Sequence, residues 1–315
     1  MVKYIGIDIS KATLDCYDGK NSFQVSNDTH GFQEIIGRSE KDRELCLIFE
    51  PTGIYAHALI DYCQKHRIKA FIVGSKEARD YARSIKQRSK TDRIDAKVLY
   101  RYQSQLDASR LSVPSLDHRM WQITRRRNAY EKYSQIIQTL RNLIEATDEE
   151  DKELIRSLNR QIRSLQKAAD LLLDEIEELL SQSSENRQAL NHLQTIPGIG
   201  RQSALALLLE FLRYPHARSS EMVALMGLDP VLRESGVFRG KSRISKQGGT
   251  HLRKKLFMAT VVATRYNDRI KVFYERLISK GKPKMSALLA SMRKLLRIAF
   301  AVFKNQTPYQ AIERQ

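Results

Sequence analysis

Few of the groups that build disulfide or zinc frameworks are present. There are three cysteines (Cys16, Cys46 and Cys63), an odd number with no C-x-x-C spacing. That excludes a disulfide scaffold and fits a reducing, cytoplasmic setting. None of the seven histidines falls in an H-x-x-H or H-E-x-x-H pair, which argues against a zinc site. No apolar run approaches the ~20 residues of a membrane span. The start, MVKYIGIDIS, lacks a basic stretch followed by an apolar one, so no signal peptide and no membrane partner are expected.

Acidic residues are also scarce, but only at one end. Residues 1–105 hold 18 Lys+Arg and 14 Asp+Glu, residues 106–187 hold 13 and 15, and residues 188–315 hold 23 and 7. The formal charge of +18 therefore resides almost entirely in the last part. A basic segment of this kind attracts polyphosphate, because neutralising phosphates releases counterions. A merely soluble basic surface would carry the same net charge; its concentration in one segment favours nucleic acid. With 315 residues, 42% of them hydrophobic, the chain can bury a sizeable core or two.

The pattern divides the chain into residues 1–110, 111–188 and 189–315. In the first part, Lys3 to Ile9, Thr13 to Tyr17 and Ser22 to Val25 read as strands, with a hairpin turn at Gly19 and Lys20. Phe32 to Gly37 looks helical. The continuous apolar run Leu45 to Phe49 suits a strand buried on both faces. A helix over Ala56 to His66 and a strand over Ala70 to Val73 follow. Strands alternating with helices after a meander predict a mixed α/β sheet. The middle part predicts a helix from about Arg119 to Ile144, a break at Ala146-Thr147-Asp148 with Thr147 or Asp148 as cap, and a second helix. Its apolar seam runs Leu154, Leu158, Ile162, Leu165, Ala169, Leu172, Ile176, Leu179, a near-heptad. Such a helical coiled-coil hairpin is a packed spacer, a dimerisation arm, or both; oligomerisation is slightly favoured.

Four acids carry the chemistry. Asp8 ends the first apolar run and Glu50 directly follows another. In open sheets, ligands bind at the carboxyl ends of strands. Asp92 and Asp95 lie in SKTDRIDAKVLYRY, a helix start with Ser89 or Thr91 as cap, and their i, i+3 spacing puts both on one face. Four carboxylates in one pocket repel unless cations neutralise them, and hard oxygen ligands suit Mg²⁺ or Mn²⁺. Paired ions of this kind stabilise attacking and leaving oxygens in phosphodiester displacement. Each acid alone admits a dull explanation: a turn, a surface position, a solvated helix. Their conjunction is the specific signal.

In the basic part, LQTIPGIGRQSALALLLE resembles the second half of a helix-hairpin-helix. Gly198 and Gly200 would let backbone N–H groups approach a phosphate, with Arg201 assisting. An ordinary glycine-rich helix connection fits equally. Beyond it, no acid occurs between Glu234 and Asp268, a gap that holds Arg239, Lys241, Arg243, Lys246, Arg253, Lys254, Lys255 and Arg265. Glycines 236, 240, 248 and 249 predict a flexible loop feeding a helix capped by Thr250, a phosphate cradle or a plain basic surface loop.

The motifs I-G-I-D-I-S-K, F-E-P-T-G-x-Y and K-T-D-R-I-D-A resemble those of the DEDD transposases, insertion-sequence enzymes related to the Piv DNA invertase. Gly227-Leu228-Asp229-Pro230, Ser235-Gly236, Ser245-Lys246-Gln247-Gly248 and the L-R-x-x-L-x-x-A run from Leu252 to Ala259 resemble the C-terminal domain of the same family. The resemblance implies an RNase H-like (RuvC-like) N-terminal domain and a mainly α C-terminal domain. It makes Asp8, Glu50, Asp92 and Asp95 the metal-binding acids. It also implies a serine that attacks DNA, carried to Ser235, with Ser242 and Ser245 as rivals. It further implies DNA as substrate, a homo-oligomer in which acids and serine meet across subunits, and a structured guide RNA in some members. Two other readings compete: a RuvC-like hydrolytic nuclease or junction resolvase using water, and a non-catalytic nucleic-acid-binding protein.

Overall fold

The computed structural model describes residues 2–38, 44–51, 53–85, 92–106, 111–231, 234–235, 238–239 and 243–311. Its contacts separate into two units, Met1–Trp121 and Gln122–Gln315.

The first unit is built on five strands: β1 (Val2–Ile9), β2 (Thr13–Tyr17), β3 (Ser22–Ser26), β4 (Glu44–Phe49) and β5 (Lys69–Ile72). Their order is β3-β2-β1-β4-β5. β1–β2 and β2–β3 are antiparallel; β1–β4 and β4–β5 are parallel. The hairpin turn falls at Gly19, whose φ of +96° is easy only for glycine. Helices α1 (Thr29–Gly37), capped by Asp28, and α2 (His57–His66), entered through a 3₁₀ turn (Gly53–Ala56), supply the crossovers. α3 (Ser75–Ser84), which the hydrophobic pattern did not reveal, and α4 (Asp92–Arg101) complete the unit. Side chains alternate across the sheet. Ile5, Ile7, Leu47 and Phe49 join Phe32, Ile35, Leu59 and Cys63 in one core. Ile48, Phe71 and Val73 join Leu99 and Tyr102 in another. Each buried aliphatic side chain contributes about 1.5–3 kcal/mol. All three cysteines are buried and free. Burial pushes the Cys46 and Cys63 thiols up to about 12, so they pack as small hydrophobes.

The second unit is helical apart from one basic arm. α5 (His118–Glu145), which begins in the first unit, and α6 (Lys152–Ser181) form a hairpin in which Arg126 meets Glu175, 49 residues away, at 2.5 Å. Asp151, not Thr147 or Asp148, caps α6 by accepting the Leu154 N–H; Thr147 instead donates to Leu143 O at the end of α5. The buried stripe of α6 runs Leu158, Ile162, Ala169, Leu173, Ile176, Leu180, while Leu165, Leu172 and Leu179 are only half-buried. A straight helix drifts by ~20° per heptad, which moves the stripe from 172 and 179 to 173 and 180. α7 (Ser184–Gln194), α8 (Arg201–Arg213), α9 (Ser219–Leu225), α10 (Thr250–Tyr266), α11 (Asp268–Ser279) and α12 (Lys284–Asn305) follow. Phe211 sits between Phe300 and Phe303, with ring centroids at 5.1 and 5.3 Å. Thr250 is the first residue of α10, not its cap; Gly249 takes the cap position without a side-chain bond.

Candidate functional site

Strand register brings the first two acids together. Ile7 pairs with Phe49 across the parallel β1–β4 ladder, so the next residues, Asp8 and Glu50, are neighbours at the strands' carboxyl ends. Adjacent strands lie about 4.8 Å apart. Alternation puts Asp8 on the same face as Gly6, and Glu50 on the same face as Ile48. That face is the one α4 covers, as Ile48 packs with Leu99. α4 crosses β1 at Gly6, where a side chain cannot fit: a Cβ there would overlap the Ala96 carbonyl oxygen and the Tyr100 amide. Positions 92, 95, 96 and 99 form one helical stripe. Ala96 and Leu99 on that stripe are buried at 0% and 4%. The stripe therefore faces the sheet, and Asp95 belongs to it. Asp8, Glu50 and Asp95 are each half-buried. The side chain of Asp92 lies outside the described residues, as do Ser89 and Thr91.

One acid escaped the sequence reading. Asp15 pairs with Asp8 across the antiparallel β1–β2 ladder and is 5% exposed. Residues directly opposite share a face, so Asp15 stands beside Asp8. Its carboxylate accepts a hydrogen bond from Gln24 Nε2 at 3.1 Å. Strict alternation in TLDCY was the available signal.

The segment expected as a flexible loop contains two short ribbons. β6 (Pro230–Val231) pairs with β9 (Arg243–Ile244), and between them β7 (Glu234–Ser235) pairs with β8 (Phe238–Arg239). Ser235 stands opposite Phe238 in the inner hairpin. Gly236, Gly240, Lys241 and Ser242 lie outside the described residues, as do the side chains of Ser235 and Arg239. The base of the arm is clasped shut. Ser245 Oγ donates to the Asp229 carboxylate and Ser245 N–H to Asp229 O at 3.0 Å. Lys246, held at φ 58°, donates its N–H to Gly227 O at 3.0 Å. Arg253 then ties the clasp to α10, donating to Gly248 O, Met226 O and Thr250 Oγ1.

The remaining basic positions divide. Arg243, Lys246 and Lys254 are exposed. Lys255 donates to Tyr130 Oη at 3.1 Å and Gln202 Oε1 at 3.2 Å. Arg201 bonds Asp174 at 2.5 Å and Glu177 at 2.7 Å, which raises its pKa and offsets its charge within the unit. Gly198 (φ +100°) lies against α10: a Cβ there would stand 2.7 Å from Ala263 Cβ and 2.8 Å from Ala259 O. Helix packing thus demands this glycine, while nothing crowds Gly200, the cap of α8.

Similarity covers both of these regions. A family model for DEDD transposases of the IS110 group, described as "Transposase", matches residues 5–170. A second, "Transposase IS116/IS110/IS902 family", matches residues 190–275. The chain belongs to the IS110 family of DEDD transposases. It is 31% identical over 332 aligned positions to the pilin gene-inverting protein of Moraxella bovis, covering 97% of both chains. The corresponding Moraxella lacunata protein matches to the same extent. An uncharacterized 43.6 kDa protein of insertion element IS110 from Streptomyces coelicolor is 24% identical over 122 residues, 38% of this chain and 30% of that one. This IS110-family chain is accordingly an enzyme of the DNA transposase and recombinase class.

The family implies dependence on a divalent metal. The donors fit one in kind: Asp8, Glu50 and Asp95 offer hard carboxylate oxygens on the face where β1 and α4 meet. Among the described residues no three His, Cys, Asp or Glu side chains come close enough to hold an ion, and the Asp92 carboxylate lies outside them. No described helix is long and apolar enough to cross a membrane.

Proposed function

We propose that this transposase cuts and rejoins DNA by transesterification, with Asp8, Glu50, Asp92 and Asp95 as its metal-binding acids and Ser235 as its nucleophile. The observation that carries the acid assignment is the β1–β4 register, which makes Asp8 and Glu50 neighbours on the face covered by α4. The strand order, with β1 central between an antiparallel meander and two parallel strands, supports an RNase H-like fold for this unit. Mg²⁺ or Mn²⁺ held by these acids would neutralise the phosphate and the developing charge on the leaving oxygen.

The chain's own groups do the rest. The Ser235 hydroxyl attacks phosphorus: an Oγ–P bond forms, the P–O bond to one strand segment breaks, and the hydroxyl proton ends on the released oxygen. One phosphodiester replaces another, so a second strand's hydroxyl can reverse the step without an energy source. Water as nucleophile would end in hydrolysis, with no such return. Ser245 is the weaker candidate, because its hydroxyl and amide both close the arm on Asp229. Exposed Arg243, Lys246 and Lys254 serve as DNA phosphate contacts. Exposed Leu143, Leu154 and Leu171 on the α5–α6 hairpin support a homo-oligomer, in which acids and serine of different subunits meet. A structured guide RNA is the further partner that the family resemblance implies.

Strand exchange on a DNA substrate tests this reading. Asp8→Ala and Ser235→Ala should each abolish exchange, and mixing the two proteins should restore it in part if subunits share sites. Full activity of Ser235→Ala would refute the nucleophile assignment.

A further inference from the structure

A second cationic site shares no described lining residue with the arm: α11, α12 and the chain's last described segment enclose a concavity that opens to solvent. Arg269, the second residue of α11, lines it together with Lys294 and Arg297 of α12, Asn305 and Tyr309. No Asp or Glu is among its described lining residues. Asp268 and Glu275, the acids of α11, are exposed and lie outside it. Tyr309 is tethered at both ends: its N–H donates to Thr195 Oγ1 at 2.8 Å and its hydroxyl to Asn267 Oδ1 at 3.0 Å. Arg269 lies 5.6 Å from the Tyr309 ring centroid, and its buried Nε has no hydrogen-bond partner. Lys294 and Arg276 share the Phe273 ring, at 4.4 and 5.5 Å.

We propose that this concavity binds backbone phosphates of nucleic acid, as a site separate from the basic arm. Cations gathered with no carboxylate among the described lining residues repel one another, and a phosphate relieves that repulsion while supplying acceptors for Arg269, Lys294 and Arg297. The ammonium of Lys294 already bears the cost: burial, then Arg276 and Arg269, lower its pKa. The inference rests on the chain's being a DNA-acting enzyme, but not on Ser235 or the four acids.

Equilibrium binding of the full chain, followed without chemistry, keeps the two readings apart. A short duplex DNA and a hairpin RNA serve as probes, each titrated over a range of salt. For Lys294→Gln/Arg297→Gln, the log–log salt slope on duplex should fall by about 1.8, from about 0.9 per phosphate lost. Thermal stability should hold or rise as repulsion is relieved. Arg297→Gln alone, at an exposed position, should lower the slope by about half as much and guards against misfolding of the double variant. A change on DNA only, or on RNA only, identifies which backbone the site takes. Unchanged slopes and affinities on both probes would overturn the proposal.

Discussion

The sheet and the basic arm organise their functional groups by different means. In the sheet, a period of two and a parallel register align Asp8 with Glu50, and a helical period of 3.6 aligns Asp95 with the residues that touch the sheet. Position along the element determines direction. In the arm, β7 and β8 pair over only two residues each, and hydroxyls follow one another closely along the chain. There, what separates one serine from another is its hydrogen bonding: Ser245 is committed to Asp229. Candidate acids on regular elements are thus picked out by pattern, whereas a candidate nucleophile on the arm is picked out by exclusion and by chemistry.

The largest expected effect falls on the sheet side. Asp8→Asn keeps the shape but removes a charged oxygen, and should slow DNA cleavage on the order of 10³-fold with an unchanged thermal midpoint. Equal loss of cleavage and of folded protein would instead make Asp8 a structural residue. Next comes the helix crossing. Gly6→Val forces α4 off β1 and should cost about 3 kcal/mol in denaturant unfolding of the first unit. A neutral result would mean that α4 does not lie against β1.

The arm should respond more gently. Ser245→Ala and Asp229→Asn each loosen the clasp, at about 1–2 kcal/mol locally. Both should slow strand exchange while leaving it detectable, because they disturb the position of Ser235 and not its hydroxyl. Complete loss in Ser245→Ala, with the arm still ordered by amide exchange, would move the nucleophile to Ser245.

The smallest effect concerns pH. His251 of α10 lies 3.0 Å from a Glu131 oxygen, yet burial, opposed by Glu131, lowers its pKa from 6.5. The folded protein therefore resists protonation that the unfolded chain accepts. Stability should decline as pH falls below about 6.5 and level off beneath the folded pKa. His251→Asn should flatten that slope; an unaltered slope would assign it to other groups.

Much of this was legible in the sequence, for identifiable reasons. The apolar run Leu45 to Phe49 and the alternation around Asp8 marked strands because sheet burial imposes those periods. The near-heptad of α6 marked a helix, but not the late drift of its buried face, which depends on how straight the helix runs. α3, rich in charge, offered no buried stripe to detect. Gly198 fitted a phosphate turn and an ordinary helix connection equally, because a glycine needed for close helix packing and one needed for an anion have the same sequence. The clasp between Asp229 and Ser245 joins residues 16 apart, and no local pattern announces it.

The central claim is that a serine of the arm, not water, attacks DNA. Trapping the enzyme on labelled DNA, digesting the product and locating the modified peptide by mass spectrometry tests it most directly. The account predicts a phosphodiester on Ser235, absent in Ser235→Ala and retained in Ser245→Ala. A nucleotide on another residue, or cleavage with no covalent species under any metal condition, would contradict it.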